Sequence, residues 1–182
     1  TQFNELTYEK LNQKITDMAT LVTDLNKISL LEQSSFQLNV TTVNAAEYFQ
    51  SLHADMLIQL EKFEVTFTQN VADELSFECD ATRLSQLFAN LISNSLKYTH
   101  HPGKINLTIS QNQTQLLICY EDSSPDVSDE SLAKIFDHLY RVPDLKTVKQ
   151  SGSGIGLAIV NQIVEAHNWR ITAAHSELGG VR

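Results

Sequence analysis

Ser151-Gly152-Ser153-Gly154-Ile155-Gly156-Leu157-Ala158-Ile159-Val160 decides how this chain is read. Three glycines at alternate positions lead straight into an amphipathic segment, Leu157 to Ala166, with no polar break. Glycine lets a backbone approach a bulky anion and adopt dihedrals closed to other residues. The helix after the loop directs its free N–H groups and its positive dipole end to the same place. Such a junction suits the phosphates of a nucleotide, and equally a flexible loop with no ligand. Two common phosphate motifs are excluded by spacing: a dinucleotide fingerprint needs G-x-G-x-x-G after a strand, and a P-loop needs Gly-Lys-Ser/Thr. Upstream, Asp122 to Gln150 is long, polar and poor in strand formers, the character of a lid.

The 182 residues, 42% of them hydrophobic, suffice for one sizeable core plus an appendage. A net charge of −9 argues against a nucleic-acid partner held by neutralised phosphates. Cys79 and Cys119 each lie in apolar strand-like runs and read as buried free thiols rather than a disulfide or metal site. No apolar run approaches the roughly 18 residues a membrane span needs, and the N-terminus lacks the pattern of a signal peptide. The chain reads as a fragment, beginning inside a helical pattern and stopping at Val181-Arg182 as a strand pattern begins.

Tyr8, Leu11, Ile15, Met18, Val22 and Leu25 alternate spacings of three and four, the seam of a long coiled-coil-like helix over residues 1–33. One such helix cannot bury its own stripe, so it needs a partner helix, unless it is an ordinary core helix of the domain after it. Beyond a polar break at Glu32–Ser35, alternation at Phe36, Leu38, Val40 and Val43 predicts a half-buried strand. Asn44 caps a helix to about Leu60, with Phe49, Leu52, Met56, Leu57 and Leu60 on one face. Val65 and Phe67 mark a strand, and Leu75 to Cys79 another. Asp80 caps the next helix, with Leu84, Leu87, Phe88, Leu91, Ile92 and Leu96 apolar, ended by His100-His101-Pro102-Gly103. Strands Ile105–Ser110 and Gln115–Glu121 come next, joined around Asn112. A short helix, Asp129 to Phe136, lies in the lid. The last helix ends near Asn168, a suitable left-handed residue, before a strand-like Trp169–Ser176. This order, β-α-β-β-α-β-β-lid-α-β over residues 36–182, predicts an α+β fold. We expect a two-layer α/β sandwich of one mixed sheet with helices on one face.

On the helix after Asp80, Asn90, Asn94, Lys97 and Tyr98 fall at i, i+4, i+7 and i+8, a polar stripe along one side. An amide oxygen can ligate Mg²⁺, an ammonium can meet phosphate, and a phenol ring can cover a base. Any one of these residues also suits a solvated face. With the glycine loop downstream, the four together point to a nucleotide site.

Asn90-x-x-x-Asn94-x-x-Lys97-Tyr98-Thr99 resembles the N-box of sensor histidine kinases of two-component systems. The loop from Ser151 resembles their second glycine box, and Ile135-Phe136-Asp137-His138-Leu139-Tyr140-Arg141 resembles their F-box. Leu21 to Glu32 is similar to the end of the second dimerisation helix, and Glu165–Asn168 with Asp122–Glu130 looks most like the BaeS-type envelope-stress kinases. The likeness covers essentially the whole chain. It implies a Bergerat-type ATP-binding fold in which Asn94 ligates Mg²⁺ on ATP with Asn90 close by. Lys97 would touch phosphate, Tyr98 would pack near adenine, and Asp122 would accept the adenine amino group. Arg141 would reach the phosphates beside Tyr140, and Val127, Gly152, Ser153, Gly154, Ile155, Gly156 and Leu157 would complete the ATP site. Asn90, Asn94 and Lys97 would be the catalytic set. Related ATPases (gyrase, Hsp90, MutL) carry a glutamate at position 90 that activates water. An amide cannot take that proton, which suits phosphoryl transfer to a protein side chain better than hydrolysis.

The chain departs from the family in three places. Asp122-Ser123-Ser124-Pro125-Asp126 lacks both glycines of the usual D-x-G-x-G. Asp126 adds a charge that should weaken ATP binding, so Asp126→Gly should tighten it. Leu139 and His138 replace the usual Phe and Pro of the F-box. None of the histidines (His53, His100, His101, His138, His167, His175) has the neighbourhood of a phosphoacceptor, which we therefore place upstream of Thr1. The resemblance implies phosphorylation of that histidine and transfer to an aspartate of a response regulator. It also implies a homodimer through the N-terminal helix, and a cytoplasmic position in an inner-membrane sensor. A degenerate, nucleotide-free module that works by dimerisation and regulator binding, and a hydrolytic ATPase of the same superfamily, are the competing readings.

Overall fold

The computed structural model describes residues 8, 14, 15, 18, 37–72, 74–143 and 154–182. The chain divides into two units, Thr1–Ser35 and Phe36–Arg182. In the first, Tyr8, Lys14, Ile15 and Met18 are helical and exposed; the rest of the expected seam helix lies outside the described residues.

In the second unit, β1 (Thr41–Asn44) passes directly into α1 (Ala45–Lys62). Asn44 serves both elements, its Oδ1 accepting the Glu47 N–H at 3.0 Å as the helix cap. Then come β2 (Val65–Val71), β3 (Ser76–Cys79), α2 (Ala81–Tyr98), β4 (Gly103–Gln111), β5 (Leu116–Asp122), α3 (Asp129–Leu132) and α4 (Gly156–Ala166). β4 is central, parallel to β2 from Val65 opposite Gly103, and antiparallel to β5 from Ile105 opposite Asp122. Asn112 closes the β4–β5 hairpin by accepting the Thr114 and Gln115 N–H groups, both at 2.9 Å. Gly103, Ile105, Leu107 and Ile109 are buried while their neighbours are not, so one face of the sheet carries the core. Against it pack Phe49 of α1, Leu84, Phe88 and Ile92 of α2, and Ile159, Val160 and Ile163 of α4. The Phe49 and Phe88 rings meet edge to face at 5.1 Å.

The mixed sheet with one helical face is as expected, with one change: β1 and β3 form their own two-stranded ladder beside the three-stranded sheet. Other differences arise from local partners. The strand expected from Phe36 begins at Thr41, where β3 offers a pairing edge; Val40 is 48% exposed, and Phe36 lies outside the described residues. Leu57, five residues beyond Leu52 and so off the buried stripe, is exposed. The lid helix stops at Leu132, because Lys134 and Asp137 donate to Ser131 and Lys134 carbonyls in tight i+3 turns instead. Cys79 is buried and free as expected, and burial pushes its thiol up to about 11; Cys119 is free but only half-buried.

The expected strand Trp169–Ser176 joins no ladder apart from one bridge, His175 to Val181. Asn168 is left-handed (φ 57), and the tail turns back on itself through reciprocal 2.8 Å bonds between Ala174 and Arg182. Val181 then docks on β5, its carbonyl accepting the Asp122 N–H at 3.1 Å. The His175 ring holds Asp126 at 2.6 Å and Asp129 at 2.8 Å, tying the tail to the start of α3.

Asp80 joins three elements. Its Oδ1 caps α2 through the Arg83 N–H at 3.0 Å, and its Oδ2 accepts the Asn39 N–H at 2.9 Å. Its own N–H donates to His167 Nε2 at 3.0 Å, past the end of α4. Burial opposes its charge, yet the N–H donors of Arg83, Asn39 and Thr82 hold the carboxyl below its ordinary range. A lowered carboxyl stabilises the fold above its unfolded pKa and loses that contribution as pH falls through the folded value. Asp80→Ala should cost about 2 kcal/mol in urea unfolding at pH 7, and Asp80→Asn less because it keeps the cap. The gap between wild type and Asp80→Asn should close as the solution is acidified; a constant gap contradicts an ionised cap.

For His175 the sign is opposite. Donating to the Asp129 and Asp126 carboxylates favours the protonated ring and raises its pKa above 6.5, so the clamp is complete at low pH and is lost as pH rises through the raised value. In an NMR titration, Asp126→Asn with Asp129→Asn should bring the His175 midpoint down; an unchanged midpoint contradicts the clamp.

Candidate functional site at the start of the last helix

Two helices make the site. α2 buries Leu84, Leu87, Phe88, Ile92, Ser95 and Leu96, which leaves Asn90 and Asn94 half-exposed at the edge of its packed face. Asn90 Nδ2 donates to the Gln86 carbonyl at 2.8 Å, so its Oδ1 is the atom turned toward α4. There it meets Gly156: a Cβ on that glycine would stand 3.3 Å from Asn90 Oδ1 and 3.8 Å from the Asn94 amide. The first turn of α4 has no side-chain cap at Ile155 and no acidic residue. Its N–H groups and positive dipole end therefore stay available to an anion, beside two amides that can donate or accept.

Gly154 fixes the approach to that turn. It takes φ 72, and a Cβ would lie 2.9 Å from the Leu139 carbonyl carbon and the Tyr140 oxygen. The backbone of the F-box-like segment thus lies against the glycine loop. Leu139 is itself left-handed at φ 61, a conformation that costs a side-chain-bearing residue about 1 kcal/mol. The Tyr140 hydroxyl donates to Ser131 Oγ at 3.1 Å, and Arg141 is exposed. Ile155 is buried and Leu157 half-buried; Gly152 and Ser153 lie outside the described residues. Lys97 lies over the Tyr98 ring, 4.8 Å from its centre.

On the other side of α2 a second polar group is built on Asp122. Ser95, next to Asn94 in sequence, bonds Asp122 Oδ2 at 2.5 Å and the Tyr120 hydroxyl at 2.7 Å. Burial drives the Tyr120 pKa far up, so that hydroxyl keeps its proton and donates to Ser95, whose own proton goes to Asp122. Asp122 Oδ1 accepts from Ser124 Oγ at 2.6 Å. Val127 is buried beyond it. Asp126, expected to face a polyanion as a bare charge, is instead paired with His175.

The structure thus brings Asn90, Asn94, Gly154, Gly156 and Tyr140 together, and Asp122 with Ser95, Tyr120 and Ser124. Sequence reading passed over Ser95, Tyr120 and Gly180. Ser95 carried a signal, a serine on the apolar face of a helix next to Asn94. Gly180 carried only its place in a Gly-Gly pair.

Comparisons with known proteins agree with this geometry. Residues 79–182 match the family described as histidine kinase-, DNA gyrase B-, and HSP90-like ATPase. The signal transduction histidine-protein kinase BaeS of Escherichia coli (strain K12) is 32% identical over 180 residues, which are 99% of this chain and 38% of that protein. The chain therefore spans about two fifths of that relative's length. The catalytic domain of histidine kinase ThkA is 27% identical in its solved structure, with a TM-score of 0.68 over 79% of this chain and 91% of that one. ThkA solved in complex with response regulator protein TrrA has the same fold, at 24% identity and a TM-score of 0.73, over 92% of this chain and 47% of that one. The chain belongs to the histidine kinase-, DNA gyrase B- and HSP90-like ATPase family.

Proposed function

We propose that residues 36–182 are the ATP-binding catalytic domain of a sensor histidine kinase and that residues 1–33 belong to its second dimerisation helix. The observation that carries this reading is Asn90 and Asn94 set against the uncapped, glycine-started N-terminus of α4. Phosphates are the ligand such donors suit. Mg²⁺ would be held by the Asn94 carbonyl oxygen together with phosphate oxygens, and when bound it supplies charge neutralisation on the transferred group. This fits the chain, since no group of three or more His, Cys, Asp and Glu among the described residues could hold a metal unaided. Asp122 would receive the base, Val127 would line its pocket, and Lys97, Tyr98, Tyr140, Arg141, Gly152, Ser153, Ile155 and Leu157 would surround the nucleotide.

The Asn90 amide supports transfer over hydrolysis. One of its two N–H groups bonds the Gln86 carbonyl, and neither its nitrogen nor its oxygen has the basicity at neutral pH to activate water. The acceptor would be a histidine of the first dimerisation helix, and the phosphoryl group would pass on to an aspartate of a response regulator. Tyr8, Ile15 and Met18 are 66%, 57% and 66% exposed, which supports a helix seam made for a second copy. No helix among the described residues is long and apolar enough to cross a membrane, so an inner-membrane anchor would lie in other segments, with this part in the cytoplasm.

Titration with a fluorescent ATP analogue tests the site. Binding should saturate, need Mg²⁺, and weaken at least tenfold in Asn94→Ala; no binding at millimolar nucleotide would favour a degenerate, non-catalytic module. With γ-labelled ATP the chain alone should take up no label on histidine; labelling of any of its own histidines would refute an acceptor elsewhere.

A further inference from the structure

His175 holds a carboxylate at each ring nitrogen, Asp126 at 2.6 Å on Nδ1 and Asp129 at 2.8 Å on Nε2. An ionised carboxylate only accepts, so a ring bonded to two of them carries both protons and a positive charge. A neutral ring has one N–H and turns a lone pair toward the second carboxylate. The two aspartates flank Val127, and Asp126 Oδ1 also accepts the Val127 N–H at 2.9 Å. Asp129 opens α3, whose Ser131 Oγ takes the Tyr140 hydroxyl at 3.1 Å. The Tyr140 oxygen lies where a Cβ on Gly154 would be 2.9 Å away. The ring thus fastens the tail to a segment that meets the Asp122 side of the site at Val127 and the glycine loop at Tyr140. A groove of about 570 Å³ runs between that segment and the tail, lined by Leu132, Ala133 and Phe136 on one side and Ile171 to Ala174 on the other. Apolar packing between them is therefore incomplete. Among the described residues, both hydrogen bonds that cross from the tail to residues 126–141 belong to His175.

We propose that His175 is a positioning residue for the nucleotide site, acting through Asp126 and Asp129, and that it makes nucleotide affinity depend on pH. This rests on the reading of the site as one for ATP. With the ring charged, residues 126–129 are held and the negative charge beside a polyanionic ligand is reduced. With the ring neutral, one carboxylate loses its donor and the charge is no longer offset. Both effects favour binding at low pH. The other charged groups on the surrounding elements are Arg170, Glu177 and Arg182 of the tail, Glu121 of β5, which takes the Ser176 hydroxyl at 3.3 Å, and Glu130 of α3, paired with Lys134 at 2.8 Å. Asp129 and Asp126 are the groups that raise the ring's pKa, so the affinity due to the clamp is present at low pH and is lost as pH rises through the raised value. Coupling is reciprocal, and a bound nucleotide raises the His175 pKa further.

The test measures dissociation constants for ATP with Mg²⁺ by calorimetry across pH, on the whole chain as wild type, His175→Gln, and Asp126→Asn with Asp129→Asn. Titration of the nucleotide and of the other histidines is common to all three forms and cancels in the comparison. The three clamp side chains are exposed, which sets a modest scale. Between about pH 6 and about pH 9 the wild-type constant should rise roughly threefold more than that of either variant. Wild type and His175→Gln should converge at the alkaline end. In an NMR titration of wild type, saturating nucleotide should move the His175 midpoint up by about half a pH unit, the same coupling read from the other side. Parallel pH profiles in the three forms, or a His175 midpoint that nucleotide leaves in place, overturn the role of His175 and leave the nucleotide site standing. Binding of no nucleotide by any form overturns the ATP reading, and this inference with it. Thermal unfolding checks that each variant folds, and the two variants break the clamp from opposite sides.

Discussion

The hydrogen bonds of Asp80 set the register of the two helices that make the site. Its carboxylate takes the first-turn N–H of α2, and its backbone N–H goes to His167 just past the end of α4. His167 can accept it because its other ring nitrogen is engaged with the Ile163 carbonyl at 2.7 Å, which places the proton on Nδ1 and leaves Nε2 its lone pair. The start of α2 is thereby joined to the end of α4, and the helices run antiparallel. At 1.5 Å per residue, the path from His167 back to Gly156 covers about 16 Å. The same distance forward from Asp80 ends beside Asn90. That is the contact the structure shows, so a hydrogen bond far from the nucleotide positions the groups that would receive its phosphates.

Within that frame, small residues decide how close the parts come. Gly156 lets an amide oxygen of α2 reach the turn where α4 leaves its N–H groups unpaired, and Gly154 lets the backbone of Leu139 and Tyr140 lie against the loop. Gly180 does the same for the tail against Asp122. The polar side chains are then oriented by what they already bond. Asn90 faces the site with its oxygen because Gln86 holds its nitrogen, and Asp122 ends a chain of donors that starts at the buried Tyr120 hydroxyl.

Much of this was legible in the sequence, for physical reasons that differ by element. α2 and α4 could be read because their apolar periodicity and the Asp80 cap are local signals. The Asn90–Asn94 pair could be read because helical spacing puts the two on one side. Elements whose existence depends on a distant edge were placed less well. β1 exists only where β3 pairs with it, and Trp169–Ser176 has the composition of a strand but joins a ladder at one residue. Loop chemistry was least legible. Asp126 read as a free charge against a polyanion, while the fold gives it His175, and Ser124 read only as a missing glycine, while the fold gives it a hydrogen bond to Asp122. No spacing rule connects Asp126 with a histidine so far along the chain, and none says which way a loop hydroxyl turns.

The most direct measurement is a two-dimensional amide NMR titration of the chain with a non-hydrolysable ATP analogue and Mg²⁺. The Gly156, Leu157 and Ala158 amides and the Asn94 side-chain amide should shift together along one saturable curve, with the His167 end of α4 unmoved. Shifts that spare the first turn of α4, or that saturate at a different nucleotide concentration from Asn94, would contradict a phosphate site at the junction of the two helices.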